Sequence, residues 1–248
     1  MEDARIIEEN LNYNIPSDVH NIKFHYVVSK KIFYSYKQNG FFSAIVQGKR
    51  GIGKSSYALT IMHDVFVYMG YDDETAWQMA IDRMLYNISD IVNFIEQSNG
   101  DKKEACFTWD DAGVYGNALA YFSRMKEVNL LSSLMDTIRS SVGGVLLTCP
   151  SQFGLLKFLR RYDNYLIEII YNPVGGWNRI AKGYLKHSLP SGKVYIYPKF
   201  TDYYSAYLPK KVYAKYMEKR NAYNQENARY LKDMIDRKKG DKKCKTTT

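Results

Sequence analysis

Residues 47–56 read QGKRGIGKSS, and this short stretch decides the fold. It follows the apolar run FFSAIVQ of residues 41–47, which predicts a buried strand because a short apolar run ends at a glycine turn. The residues after it, SSYALTIMHDVFVYM, carry apolar side chains at helical spacing as far as Gly70, a helix-stop residue. The sequence therefore predicts a strand, a glycine-rich loop and a helix in succession.

The loop fits G-x-x-x-x-G-K-[ST], the Walker A pattern. Glycines let the backbone fold around an anion with its N–H groups inward, and the next helix adds its N-terminal N–H groups. Lys54 would reach the β and γ phosphates of ATP, and the Ser55 hydroxyl would ligate Mg²⁺. The predicted nucleotide-binding residues are Gly48, Lys49, Arg50, Gly51, Ile52, Gly53, Lys54, Ser55 and Ser56.

Two acids follow ACFTW, a second predicted buried strand. A P-loop NTPase needs an acid at the end of a neighbouring strand, reaching Mg²⁺ through water, and a second polar group for the attacking water. We assign Asp110 to the metal and Asp111 to the water. The alternative for these residues is an acidic helix cap.

The next predicted strand, VLLTC, offers Thr148 as a polar sensor of the γ-phosphate, with Ser151 or Gln152 just past the strand as alternatives. A polar residue satisfied at a strand end is the simpler interpretation. The predicted metal ligands are thus Ser55 and Asp110.

Arg160 and Arg161 end a predicted helix directly before the last strand, NYLIEIIY. An arginine there can reach a neighbouring subunit's nucleotide and stabilise the charge on the transferred phosphoryl group. Arg139 is a further candidate, and a surface pair beside Asp163 is the alternative. The predicted catalytic residues are Lys54, Asp111, Thr148, Arg160 and Arg161.

Strands and helices alternate from residue 41 to about residue 171, which predicts an α/β fold with a parallel sheet covered by helices. Ser89 is predicted to cap a helix, and Gly143-Gly144 to end a long helix over residues 123–140. After residue 172, RIAKGYLKH and KVYIYPKF flank SLPSG and predict a β-hairpin. A basic helix follows, from Pro209 to about Asp236.

We expect four segments in the chain. Residues 1–40 form an N-terminal extension packing on the core, and residues 41–172 form the ATPase core. Residues 173–236 hold the hairpin and basic helix, and residues 237–248 form a disordered basic tail.

The formal charge of +9 is concentrated at the C-terminal end, where residues 209–248 contain 13 Lys or Arg against 5 Asp or Glu. Such a segment is typical of a polyanion-binding surface or a solvated tail. Tyr216, Tyr223 and Tyr230 recur every seven residues within it. These rings would either stack on nucleic-acid bases or pack against protein.

No apolar run reaches the length of a membrane span, and the N-terminus MEDARIIEEN has no hydrophobic signal core. The three cysteines show no metal-ligand spacing, and so sparse a count suits a reducing compartment. We expect a cytoplasmic protein, in the host cytoplasm if a virus or plasmid encodes it.

The motifs GKRGIGKS, CFTWDD, LLTCPS and LLKFLRRYD occur in the order and spacing of additional-strand P-loop ATPases, which include AAA+ proteins and RecA/FtsK-like motors. The residues of these motifs resemble those of small ATPases of crenarchaeal viruses and plasmids, some of which are described as similar to the initiator DnaA. The resemblance implies a P-loop NTPase three-layer sandwich with strand order 5-1-4-3-2. It also implies ATP, Mg²⁺ and action on DNA as a homo-oligomer, either a ring such as a hexamer or a filament.

Two departures from that pattern are visible. Asp111 stands where many of these ATPases have Glu, one methylene longer. The region after Asn172 does not resemble the helical lid of an AAA+ protein, which points toward the FtsK, HerA or Zot-like proteins.

The leading interpretation is a Mg²⁺-dependent ATPase that acts on DNA in replication, packaging or transfer. One alternative is a nucleoside or small-molecule kinase, in which Asp111 would be the base for the acceptor. The other is a nucleotide-gated DNA-binding or assembly factor with little turnover.

Overall fold

The computed structural model describes residues 25–97, 103–113, 132–161, 165–174, 178–188 and 194–244. The helices and strands of the first half are α1 (Val27–Lys37), β1 (Phe42–Gln47), α2 (Lys54–Tyr68), α3 (Asp73–Asp82), β2 (Met84–Leu85), α4 (Ile88–Gln97) and β3 (Glu104–Trp109). Those of the second half are α5 (residues 132–137), β4 (Val142–Cys149), α6 (Lys157–Arg161), β5 (Tyr165–Tyr171), β6 (Arg179–Ser188), β7 (Val194–Tyr204) and α7 (Lys210–Cys244).

One sheet contains all seven described strands, in the order β2-β3-β4-β1-β5-β6-β7. The ladders among β1 to β5 are parallel, whereas β5–β6 and β6–β7 are antiparallel. The first five strands have the order that the resemblance implies. This mixed α/β architecture with a mostly parallel sheet is consistent with a P-loop NTPase-like sandwich.

The strands β6 and β7 continue the central sheet, because β6 pairs along the whole of β5. The predicted core boundary near residue 172 therefore falls inside one sheet, and the first compact unit extends to Tyr207. Residues 189–193, which join the two strands, lie outside the described residues.

Helices cover both faces of the parallel strands. On one face, strand residues such as Ile45, Phe107 and Leu147 pack into a buried cluster with Ile91 of α4 and Ile138. On the other face lie α1 and α2, as shown by two contacts: Thr108 of β3 with the Met62 sulfur, and Gly144 of β4 with Ile32. Burial on both faces explains why these strands are continuous apolar runs.

Gly143 and Gly144 lie inside β4, so the prediction that they break a helix is wrong. A Cβ on Gly143 would lie 2.8 Å from Tyr36 Cβ, and one on Gly144 would lie 2.9 Å from Ile32 Cγ2. The two glycines instead let α1 approach the sheet closely. The preceding helix is described only over residues 132–137; residues 114–131 of its predicted range lie outside the described residues.

The cap of α4 also differs from the prediction. Ser89 lies within the helix, and the Asn87 side-chain oxygen accepts the Asp90 N–H at 2.7 Å. The Asp90 carboxylate in turn accepts the Asn87 N–H at 3.4 Å. Asn87 and Asp90 thus satisfy each other's backbone N–H groups at the start of the helix.

The second compact unit, Leu208–Thr248, contains α7. This helix begins after Pro209, as predicted, and ends at Cys244 rather than near Asp236. Most of the segment predicted to be a disordered tail is therefore helical. Tyr216 and Tyr223 are buried, and the side chain of Tyr230 lies outside the described residues.

A search of the described residues finds no helix that is long and apolar enough to cross a membrane.

Candidate functional site

The glycine-rich loop connects β1 to α2 and depends on backbone conformations that suit glycine. Gly51 and Gly53 have φ values of 74° and 103°, and Gly48 has 152°. A Cβ on Gly48 would lie 2.8 Å from the Ile169 carbonyl oxygen, and one on Gly53 would lie 2.8 Å from Ala206 Cβ. The first and last glycines of the motif are therefore required both for their φ values and for close packing.

Lys54 is the first residue of α2, and its side chain turns back across the loop. Its Nζ donates to the carbonyl oxygens of Gly48 at 2.9 Å and Lys49 at 3.0 Å, and the residue is only 7% exposed. Lys49 and Arg50 are exposed. The loop therefore holds one sheltered ammonium group at the N-terminus of a 15-residue helix, an arrangement that suits an anion.

Ser55 and Asp110 meet as the Walker A interpretation requires. The Ser55 hydroxyl donates to the Asp110 carboxylate at 2.8 Å, although 55 residues separate them in sequence. Asp110 follows β3 and is fully buried, and its own N–H donates to the Leu85 carbonyl at 2.8 Å. The structure thus brings together both predicted metal ligands.

Thr148 contacts both acids. Its hydroxyl donates to Asp110 Oδ1 at 2.5 Å and accepts the Asp111 N–H at 2.9 Å. Thr148 is fully buried near the end of β4, and its hydroxyl connects the Asp110 carboxylate to the Asp111 backbone. Asp111 is partly exposed and has a positive φ of 51°, which turns the chain sharply at this point.

The other predicted residues are placed in the loop and helix that follow β4. Gln152 is nearly buried, and its N–H donates to the Gln47 side chain at 3.2 Å, at the end of β1. The Ser151 hydroxyl accepts the Phe153 N–H at 3.3 Å and so caps a short 3-10 turn. Neither contact involves the acids.

The predicted arginines Arg160 and Arg161 are the last two residues of α6. The Arg160 carbonyl accepts from Lys186 Nζ at 2.9 Å. The Arg160 Nε is buried without a hydrogen-bond partner among the described residues. The side chain of Arg161 lies outside the described set, and Arg139 is exposed.

Sequence reasoning missed the residues that hold the other side of the loop. Arg179, at the start of β6, donates from Nε to the Ile52 carbonyl at 2.6 Å. Tyr204, at the end of β7, donates to the Gly53 carbonyl at 3.0 Å and is fully buried. No local motif could have shown this, because the contacts arise from the pairing of β5, β6 and β7.

A buried acidic network lies behind α2. The Tyr57 hydroxyl donates to Asp202 at 2.8 Å, and the Val27 N–H donates to the same carboxylate at 3.3 Å. Burial, together with the nearby Asp64 charge, raises the Asp202 pKa to about 6. The same burial raises the pKa of Tyr57 well above its ordinary value. This network joins the start of α1, α2 and β7.

The donor set fits ATP and Mg²⁺. A hydroxyl and a carboxylate oxygen are ligands that Mg²⁺ accepts, and Mg²⁺ keeps several waters, so two protein oxygens suffice. Ser55 and Asp110 would hold the metal, and Lys54 with the loop amides would hold phosphates. Within the described residues, no group of three His, Cys, Asp or Glu lies close enough together to hold a metal ion.

A crystal structure of the N-terminal domain of zonular occludens toxin from Neisseria meningitidis superposes with a TM-score of 0.37 and 16% identity. The superposition covers 70% of this chain and 97% of that one.

No protein-family model matches the sequence. A curated relative, uncharacterized protein B-251 of Sulfolobus spindle-shape virus 1, is 30% identical over 213 residues, which are 83% of this chain and 84% of the relative. Identity at this level over most of both chains shows common descent. The chain therefore belongs to the same protein family as B-251 of Sulfolobus spindle-shape virus 1.

Proposed function

We propose that this protein binds ATP with Mg²⁺ and hydrolyses it, and that it acts on DNA as a homo-oligomer in replication, packaging or transfer. The hydrogen bond of Ser55 to Asp110, at the start of the helix that carries Lys54, is the observation that carries the proposal. It joins a helix N-terminus to a buried acid from a neighbouring strand. That is the arrangement in which a P-loop NTPase binds a metal–phosphate group.

Each residue of the site has a defined role in this proposal. Lys54 and the loop amides bind the β and γ phosphates, and Lys54 stabilises the charge that develops on the transferred group. Ser55 and Asp110 would hold Mg²⁺, which would supply further neutralisation of the phosphate charge. Asp111, partly exposed beside Asp110, orients and deprotonates the attacking water.

Support for the DNA partner comes from charge. Residues 209–248 carry a net charge of +8, and the described lysines Lys210, Lys211 and Lys215 are exposed along α7. Such a helix attracts the phosphate backbone without reading sequence. Self-association, with Arg160 or Arg161 acting on a neighbour's nucleotide, belongs to the same proposal. So does an origin in a virus, by analogy with the viral relative.

The test is Mg²⁺-dependent ATP hydrolysis by the full chain. Lys54→Ala removes the sheltered ammonium, so we expect turnover to fall by at least about 100-fold. The matched control is Lys182→Ala, which removes an exposed lysine of β6 and should leave turnover unchanged. Equal activity of the Lys54→Ala variant and the wild type would refute the site.

The second half of the proposal is tested by repeating the assay with single- and double-stranded DNA, beside a mass measurement in the presence of ATP. A DNA-stimulated rate with an ATP-dependent increase in mass supports an oligomeric DNA motor. ATP consumption that requires a small-molecule acceptor would show a kinase instead. Self-association with hardly measurable turnover would show a nucleotide-gated assembly factor.

A further inference from the structure

The side of the loop that faces β5, β6 and β7 carries an aromatic ring that the phosphate chemistry does not use. Tyr171, the last residue of β5, is 61% exposed. It lies directly across from Arg179, the first residue of β6. The Arg179 guanidinium lies over the Tyr171 ring, 4.2 Å from its centroid.

This ring is linked to the loop through Arg179. Besides its bond to the Ile52 carbonyl at 2.6 Å, Arg179 donates to the Asn178 carbonyl at 2.8 Å. Two fixed acceptors hold the guanidinium plane, and the guanidinium in turn supports one face of Tyr171. A tyrosine ring restrained in this way offers its other face at a reduced cost in ordering.

The position of the ring relative to the acids follows from the sheet. The loop emerges from β1, which lies between β4 and β5. Asp110 and Thr148 occupy the side of β3 and β4, where Ser55 meets the carboxylate. A nucleotide whose β and γ phosphates lie on that side must carry its sugar and base away from it. The opposite side is that of β5 and β6. There, Tyr171 ends β5 and Arg179 begins β6.

We propose that Tyr171, supported by Arg179, is the stacking platform for the base of the bound nucleoside triphosphate. The inference rests on the proposed function, because it assumes that a triphosphate binds in the loop. A base stacked on the free face of the ring gains dispersion and π contact without any hydrogen bond to its edge. The cation beneath the ring adds a favourable electrostatic contact.

The experiment separates base binding from phosphate binding. Titration calorimetry with Mg²⁺ measures the affinity of the full chain for two ligands, the non-hydrolysable ATP analogue adenylyl imidodiphosphate and inorganic tripolyphosphate. We expect the wild type to bind the analogue more tightly than tripolyphosphate. Tyr171→Ala should weaken analogue binding about tenfold, which is within the range for one base stacked on an aromatic ring, and leave tripolyphosphate binding unchanged.

Two further variants make the result specific. Tyr171→Phe keeps the ring and should bind both ligands as the wild type does. Tyr197→Ala removes a comparably exposed tyrosine, 47% against 61%, seven residues before the loop-contacting Tyr204 on β7. It should leave both affinities unchanged.

The remaining outcomes are also decisive. Unchanged analogue binding by Tyr171→Ala overturns the platform while leaving the phosphate site intact. An equal loss for both ligands also overturns it, because the ring would then support the loop rather than the base. A wild type that binds neither ligand refutes the proposed function itself, and this inference with it.

Discussion

A single hydroxyl, that of Thr148, sets the geometry of both acids. Because it accepts the Asp111 N–H, its own proton is directed to the Asp110 carboxylate. Asp110 is buried and also accepts from Ser55, so hydrogen bonds from the protein, rather than from bulk water, satisfy its carboxylate. The hydrogen bonds of Thr148, which the sequence predicts to be a phosphate sensor, therefore fix the positions of both acids.

Thr148→Val preserves the shape of the side chain but removes this hydroxyl. We expect ATP turnover to fall about tenfold, since a hydrogen bond to a charged group contributes roughly 1.5–3 kcal/mol. Thr148→Ser, which keeps the hydroxyl, should recover most of the rate. The measurement is kcat beside KM for all three proteins. Wild-type kcat in the valine variant would show that the acids are positioned without it.

Asp111→Asn tests the assignment of the water-activating base. Asparagine tolerates the positive φ at this position, so the turn should survive. Loss of a general base lowers rates by about 10²–10⁴-fold, so hydrolysis should almost disappear while nucleotide affinity stays within about twofold. Filter binding measures the nucleotide affinity of the variant, and a hydrolysis assay on the same protein measures its rate. If hydrolysis persists, Asp111 serves only to cap the turn.

At the scale of elements, the sequence predicts the strands next to the candidate site residues more accurately than it predicts the segments around those strands. The strand, loop and helix at residues 42–68 are found as predicted, because a buried strand, three glycines and a helical apolar spacing agree locally. The pairing of Ser55 with Asp110 was predictable for the same reason. Ser55 lies in the helix that follows β1 and its loop, and Asp110 directly follows β3, and both strands are recognisable in the sequence.

The failures at this scale share a cause. Gly143 and Gly144 signal a break in any local pattern, but α1 requires small residues at those positions of β4. Arg179 and Tyr204 contact the loop only because two antiparallel strands are added beside β5. Contacts between distant segments produce no periodicity or motif, so the roles of Arg179 and Tyr204 could not be predicted from the sequence.

The contact of the loop with the end of β7 gives a matched pair of substitutions. Gly53→Ala meets both an unfavourable φ of 103° and Ala206 Cβ at 2.8 Å, whereas Gly51→Ala meets only its φ of 74° and open space. We expect Gly51→Ala to cost about 1–2 kcal/mol of unfolding free energy and Gly53→Ala clearly more. Urea denaturation measures both. Adding Ala206→Gly to Gly53→Ala should restore part of the loss.

At the scale of the whole first unit, Asp202 makes stability depend on pH. Its pKa is about 6 in the folded protein against 3.8 ordinarily, so the folded state binds the proton more tightly. Stability from this group is therefore present below pH 4 and is lost as pH rises through 6. Removing the ionisation should favour the folded state at neutral pH.

Asp202→Asn should therefore raise the unfolding free energy at pH 7.5, by up to about 3 kcal/mol. The gain should shrink toward zero near pH 4. Thermal or urea denaturation over this pH range provides the measurement. Asp136→Asn, at an exposed aspartate, is the control and should show no such pH-dependent gain. A gain of equal size at both pH values would mean that ionisation is not the cause.

The contacts of Arg179 and Tyr204 with the glycine-rich loop also bear on how the chain is made. The loop is synthesised early, between residues 48 and 53, but two of its carbonyls find their partners only when residues 179 and 204 exist. A ribosome must therefore add some 150 further residues after Gly53 before both of these contacts can form. Until then, a nascent chain carries the motif without the site.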